Sequence, residues 1–184
     1  MDRGEPDLSA ADVVAFWRTA GAERWFTKDA AFDRIFRDRF LALHRAVAAR
    51  RHDDWIGTAE GALALLILTD QFPRNAFRDT EQMYATDPLA RHYAQLALSA
   101  GHIARVEPAL RVFFGMPFGH SEDCADQDVS MALAYWFDEQ SKSYAEGHRA
   151  IIARFGRFPH RNAILGRETT AGEAAFLAEG GFAG

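Results

Sequence analysis

The chain has a single cysteine, Cys124, which excludes an internal disulfide and any metal cluster built on cysteine alone. Long hydrophobic runs are missing as well. The longest wholly apolar stretch, Ala62 to Leu68, is far shorter than the roughly 20 residues that a membrane-spanning helix needs. Neither Gly-x-x-x-x-Gly-Lys nor Gly-x-Gly-x-x-Gly occurs, so no phosphate-cradling loop is expected. His-x-x-x-His and His-Glu-x-x-His are absent, and the histidines at 44, 52, 92, 102, 120, 148 and 160 carry no metal-ligand spacing. No Gly-x-Ser-x-Gly nucleophile turn exists. The lone thiol, Cys124, has Asp123 and Asp126 beside it, which disfavours a thiolate. No metal and no cofactor are therefore expected.

Basic charge is also short. Lys and Arg number 21 against 26 Asp and Glu, giving a net charge of −5, so a general affinity for nucleic acid is not expected. The opening, Met1-Asp-Arg-Gly-Glu-Pro6, is polar and acidic, unlike a secretory signal. Linkers, low-complexity segments and strict internal repeats are lacking. At 184 residues this predicts one domain over 1–184, with a short flexible N-terminus (1–8) and a glycine-rich tail (180–184). A cytoplasmic location with no membrane partner is the resulting expectation.

What is present is helical periodicity. Ser9-x-x-Asp12 reads as a capping box ahead of Val13, Phe16 and Trp17, and Gly21 as the stop. After Asp29, the set Phe32, Ile35, Phe36, Phe40, Leu43 and Val47 keeps three-and-four spacing. A third helix, from about Thr58 to Phe72, is apolar on all sides and belongs at the centre of a domain. Asp87-Pro88 and Glu107-Pro108 each read as a cap followed by proline at the first helical position. The first starts a stripe of Leu89, Tyr93, Leu96 and Ala100; the second starts a short helix through Phe114. The stretch 115–123 is rich in breakers and reads as irregular. Val129, Ala132, Leu133, Trp136 and Phe137 mark the next helix. Ser143-x-x-Glu146 would cap a helix carrying Tyr144, His148, Ile151, Ile152 and Phe155, and Thr170-x-x-Glu173 a last one. No segment alternates as a strand does. The expectation is all-α, about eight helices in antiparallel pairs.

Two segments echo each other: Asp70-Gln-Phe-Pro-Arg-Asn-Ala-Phe-Arg78 and Phe155-Gly-Arg-Phe-Pro-His-Arg-Asn-Ala-Ile-Leu-Gly-Arg167. Together with Trp25-Phe26, Pro117-Phe-Gly-His-Ser-Glu-Asp123, Gln127 and His148, they resemble the bacterial family called domain of unknown function 924, from about Val13 to Phe182. The resemblance implies an all-helical fold similar to tetratricopeptide-repeat proteins, a right-handed stack of helix pairs. It implies no activity.

Candidate site residues come from these motifs. Asp70, Arg74 and Arg78 are four apart, although Pro73 predicts a helix end near Phe72 rather than one continuous face. With Asn75 they form either an Asp–Arg pair fixing a turn or guanidiniums offered to a carboxylate or phosphate. His120-Ser121-Glu122-Asp123 reads as helix capping or as a His120–Glu122 acid–base pair. The closing motif sets Arg154, Arg157, Arg161, Arg167, His160 and Asn162 among Phe155, Phe158, Ile164 and Leu165. Those polar heads either pair with acids such as Asp70 and Glu122 in a buried network, or line a groove for a peptide or small anionic ligand. Two functions stay open: a non-catalytic binding protein, and an enzyme drawing acid–base groups from His120, Glu122, His148 and His160.

Overall fold

The computed structural model describes residues 8–182, so parts of the expected N-terminal and C-terminal tails, 1–7 and 183–184, lie outside the described residues. Within them the chain is helical, with no strand among the described residues. The α-helical segments are α1 (Ala10–Ala20), α2 (Ala22–Trp25), α3 (Ala30–Ala48), α4 (Ala59–Leu66), α5 (Phe72–Ala76), α6 (Asp87–Ser99), α7 (Val112–Gly119), α8 (Cys124–Ala134), α9 (Glu139–Phe155) and α10 (Ala171–Ala178). Because α2 is a single turn and α4 runs on into α5, these amount to the eight helices expected.

Local chemistry explains the starts. Ser9 and Thr170 each close a reciprocal capping box, with Asp12 and Glu173 as partners. Asp29 caps α3 through the amides of Ala31 and Phe32, and Asp123 caps α8 through those of Ala125 and Asp126. Three assignments differ from expectation, two of them helix starts. Asp87 is not the cap of α6; it lies inside the first turn after Thr86, and it is buried. Helix α9 begins at Asp138, which takes the cap role expected of Ser143. Segment 115–123 is irregular only over 120–123, since α7 continues through Pro117 to Gly119.

The largest departure is at Pro73, which does not end the central helix. Proline lacks an N–H, and its ring crowds the carbonyl four residues back, here Thr69. A five-residue π-helical segment, Ile67–Gln71, absorbs this: the Phe72 amide bonds back to the Ile67 carbonyl, five residues away. The carbonyl of Thr69 accepts instead from the Thr86 hydroxyl at 2.6 Å. Helix thus continues through α5, and the wider turn keeps both Asp70 and Gln71 buried.

Helix α4 sits at the centre, touching α1, α6 and α7, and its residues from Gly61 on are buried. Around it Trp17, Phe36, Phe40, Phe72 and Phe113 are sealed from solvent, each stabilising the fold by about 1.5–3 kcal/mol relative to exposure. Sequential helices α6 to α9 pack each on the next. Several stripe assignments shift. Ile35 is 55% exposed and Trp136 84% exposed, while Leu96, Val129 and Tyr144 also face outward. In α6 the inward face is Ala90, Tyr93, Ala94 and Ala97, where small side chains admit neighbouring helices closely.

Gly61 is where the centre is tightest. A Cβ there would stand 2.1 Å from the Trp55 carbonyl oxygen and 2.8 Å from the Thr58 hydroxyl. Backbone cannot retreat as a side chain can, so Gly61→Ala should cost about 1–3 kcal/mol. Urea unfolding checks this; a variant as stable as the parent would contradict so close an approach.

Candidate functional site

The π-turn places Asp70, 1% exposed, at the core of a polar network. Its Oδ1 accepts from His120 Nδ1 at 2.8 Å and lies 3.0 Å from Arg74 Nη1, while Oδ2 accepts from Gln71 Nε2 at 2.5 Å. Arg74 also donates to the Asp70 carbonyl and forks onto both oxygens of Asp87, at 2.9 and 3.1 Å. Burial by itself would raise the Asp70 pKa, but the charge of Arg74, that of His120 when protonated, and the hydrogen bonds from His120 and Gln71 hold it well below the usual carboxylate range. Asp70 is therefore ionised and can only accept, so the proton of a neutral His120 sits on Nδ1 and leaves Nε2 as a lone pair. Burial and the nearby Arg74 lower the His120 pKa, against the opposing pull of Asp70. That lowering favours the neutral imidazole.

The other arginines sort by partner. Arg78 leaves this centre to fork onto Asp33 of α3, at 2.5 and 3.1 Å, and its Nη2 also donates to Asn75. Asn75 in turn donates to the Gln71 carbonyl. Arg157 forks onto Glu173 of α10 at 2.6 and 2.9 Å. Arg167 forks onto Glu122 at 2.7 and 3.0 Å, and Glu122 also accepts from the Phe158 amide. Burial opposes ionisation of Glu122, but those bonds outweigh it and lower its pKa. Arg154 stays exposed, over the rings of Phe155 and Phe176.

Arg161 differs. It is 7% exposed, yet its nearest carboxylate oxygen, on Asp87, is 3.7 Å away, beyond hydrogen-bond reach. Its Nη2 donates to the His120 carbonyl, its guanidinium carbon lies over the rings of Tyr84 and Phe158 at 4.6 and 4.5 Å from their centroids, and its Nε has no partner among the described residues. Burial and then the Arg74 charge lower its pKa, offset by Asp87. His148 and His160 close around the same Phe158 ring at 5.2 and 5.6 Å between centroids, and Phe182 packs edge-on against both. Desolvation, then His120 and Arg161, push the His148 pKa down to about 3. Desolvation and Arg161 push that of His160 down to about 4.

The sequence motifs thus meet in part. Asp70, Arg74, His120, Arg161, His148 and His160 converge, with Glu122, Arg167 and Asn162 adjoining. Arg78, Asn75 and Arg157 face elsewhere and tie α3 and α10 to their neighbours. Asp87 was missed because Asp-Pro before a stripe reads as a cap, and Phe182 because a terminal aromatic carries no pattern. Among the described residues eight enclosed polar atoms lack a partner, and five of them are here: His148 Nε2, His160 Nδ1, Arg161 Nε, Asn162 Oδ1 and Arg167 Nε. Native interiors leave few such groups, and five of them gather in this one corner. No cluster of three metal-ligating side chains exists among the described residues, and no helix there is long and apolar enough to cross a membrane.

No curated protein matches the chain. A solved structure from Agrobacterium tumefaciens, the protein of unknown function ATU0120, is 54% identical and superposes with a TM-score of 0.91, covering 92% of this chain and 97% of that one. The family model described as bacterial protein of unknown function (DUF924) matches residues 13–181, which include the π-turn, the His120 segment and the closing motif. This chain belongs to that family.

Proposed function

We propose that this protein is a soluble, cytoplasmic binding protein of tetratricopeptide-like build, and that it holds the carboxylate or phosphate group of a small anionic ligand, or of a peptide terminus, against Arg161. The observation that carries this reading is the contrast among arginines. Arg74, Arg78, Arg157 and Arg167 each fork onto or contact a carboxylate at hydrogen-bond distance, whereas buried Arg161 has none. Guanidinium geometry favours a planar, bidentate acceptor. His160 and His148 beside it are neutral, and an anion would favour their protonated forms. Affinity should therefore rise as the pH falls, with proton uptake on binding.

Calorimetric titration with inorganic phosphate, succinate and short peptides tests this. Loss of a charge-assisted contact worth about 1.5–3 kcal/mol predicts a drop in affinity of roughly 10- to 100-fold in Arg161→Ala. Arg78→Ala should leave affinity unchanged. If no anion binds at any pH, or if Arg161→Ala binds equally well, the reading fails.

One observation favours a second reading, an acid–base enzyme. His120 has its Nδ1 directed to a buried, ionised Asp70, its side chain is 14% exposed, and its Nε2 has no hydrogen-bond partner among the described residues. An imidazole oriented in this way is equipped to take a proton from a substrate or water. The supporting Asp70 stands on a π-turn, a feature frequent at functional sites.

A further inference from the structure

His148 Nε2, His160 Nδ1 and Arg161 Nε are all enclosed, so an anion reaches them only if part of their surroundings moves. Most of those surroundings are fixed. His148 backs onto α7, where a Cβ on Gly119 would come within 3.8 Å of its Nδ1. Phe158, the ring on which His148, His160 and Arg161 all pack, is 1% exposed. Its amide donates to Glu122 and its carbonyl accepts from Arg167, two residues that are themselves forked together.

Phe182 is the exception. Its ring lies against both histidines, 4.7 Å from His148 and 5.1 Å from His160 between centroids, yet the residue is only half-buried. Beyond the Gly181 amide, which donates to the Phe176 carbonyl at 2.9 Å, no backbone hydrogen bond holds this segment among the described residues. Two glycines aim it. Gly180 is left-handed, with φ +85°, and a Cβ on Gly181 would stand 2.5 Å from the Phe176 ring. Rotation about these glycines moves Phe182 without unwinding α10.

We infer that Phe182 is a displaceable plug that controls access to His148, His160 and Arg161, and that the entering ligand expels it. The inference rests on the anion-binding reading above. An apolar ring gives the two imidazole nitrogens no hydrogen bond, so a ligand that pairs with them gains what the plug withholds. Because the ligand binds only the open form, the plug lowers apparent affinity in proportion to the fraction that is open.

Phe182→Ala should bind inorganic phosphate at least about tenfold more tightly than the parent, as for an open state populated at about 10% or less. Gly181→Ala should shift affinity the same way, since its Cβ cannot share space with the Phe176 ring. Unfolding curves verify that both variants fold. Carbethoxylation by diethyl pyrocarbonate, located by peptide mass spectrometry, reads the plug with no ligand present. His148 and His160 should react at least about tenfold faster in Phe182→Ala, while exposed His92 reacts equally in both proteins. Equal rates at His148 and His160, or phosphate affinity unchanged or weakened in Phe182→Ala, would overturn the plug. Faster modification with no phosphate binding to either protein would instead overturn the anion reading and uphold Phe182 as the cover.

Discussion

Arg74→Ala should lower the unfolding free energy by about 3–5 kcal/mol, the cost of breaking a buried ion pair from one side. The residue contacts Asp70 at 3.0 Å and forks onto Asp87, and both carboxylates are buried. Truncation leaves Asp70 with His120 and Gln71, and leaves Asp87 with only a 3.7 Å approach from Arg161. Neither remaining arrangement neutralises two enclosed negative charges. For a domain of this size about 4 kcal/mol corresponds to a fall in Tm of roughly 10 °C. Urea unfolding at pH 7 measures it, with the slope unchanged if only stability is altered. Arg149→Ala provides the contrast. Its partner Asp128 sits 2.6 Å away, but the two side chains are 50% and 60% exposed. Water already screens that pair, and its loss should cost no more than about 1 kcal/mol. Equal losses in the two variants would mean that burial does not govern the network.

Acidification should destabilise the protein well above the pH at which carboxylates titrate. His148 and His160 are held neutral, with pKa values of about 3 and about 4 against 6.5 for the free side chain. The folded state therefore binds fewer protons than the unfolded state throughout the window between those values and 6.5. Stability is full above about pH 6.5 and declines as pH falls through that window. Each histidine contributes up to about 1.4 kcal/mol per pH unit, so the loss by pH 4.5 should amount to a few kcal/mol. Below that, Asp70 and Glu122, whose pKa values are lowered in the fold, add a second loss as they protonate. Unfolding curves at intervals from pH 7.5 to pH 4.5 would record the slope. His148→Gln should flatten it by about one proton. A flat profile above pH 5 would mean that the two rings titrate freely in the fold.

The contrast between Phe72-Pro73 and Phe158-Pro159 explains how much was legible. Both read from sequence as helix ends, because proline lacks a donor and crowds the preceding turn. At Pro159 that holds: α9 ends at Gly156, and only a short 3-10 turn follows. At Pro73 it does not, since Thr86, thirteen residues later, supplies a hydroxyl to the carbonyl that proline stranded. That compensation is tertiary, and no local window contains it. The inward faces divide similarly. Phe32, Phe36 and Phe40 were correctly placed in the core, but Ile35 on the same spacing faces solvent. Three-and-four spacing defines a stripe about 100° wide, and its margins are decided by which neighbour arrives.

The arginines show the same limit. Their number and apolar setting were plain at Phe155–Arg167, and so was the possibility of a buried network with Asp70 and Glu122. Which acid each would take was not legible. Arg78 reaches back to Asp33 and Arg167 to Glu122, both 45 residues away, and Arg74 takes an aspartate that looked like a cap.

By itself the sequence determined the all-helical class, the principal capping boxes, the central position of the apolar helix and the family. Each follows from short-range chemistry: residue spacing, side-chain-to-amide bonds and contiguous motifs. Tertiary structure alone decided that helix runs through Pro73, that Asp87 is buried, and that Arg161 is the buried arginine left without a carboxylate at hydrogen-bond distance. Those outcomes depend on charges and donors meeting across tens of residues, and the energy of a buried charge is set by what surrounds it in space.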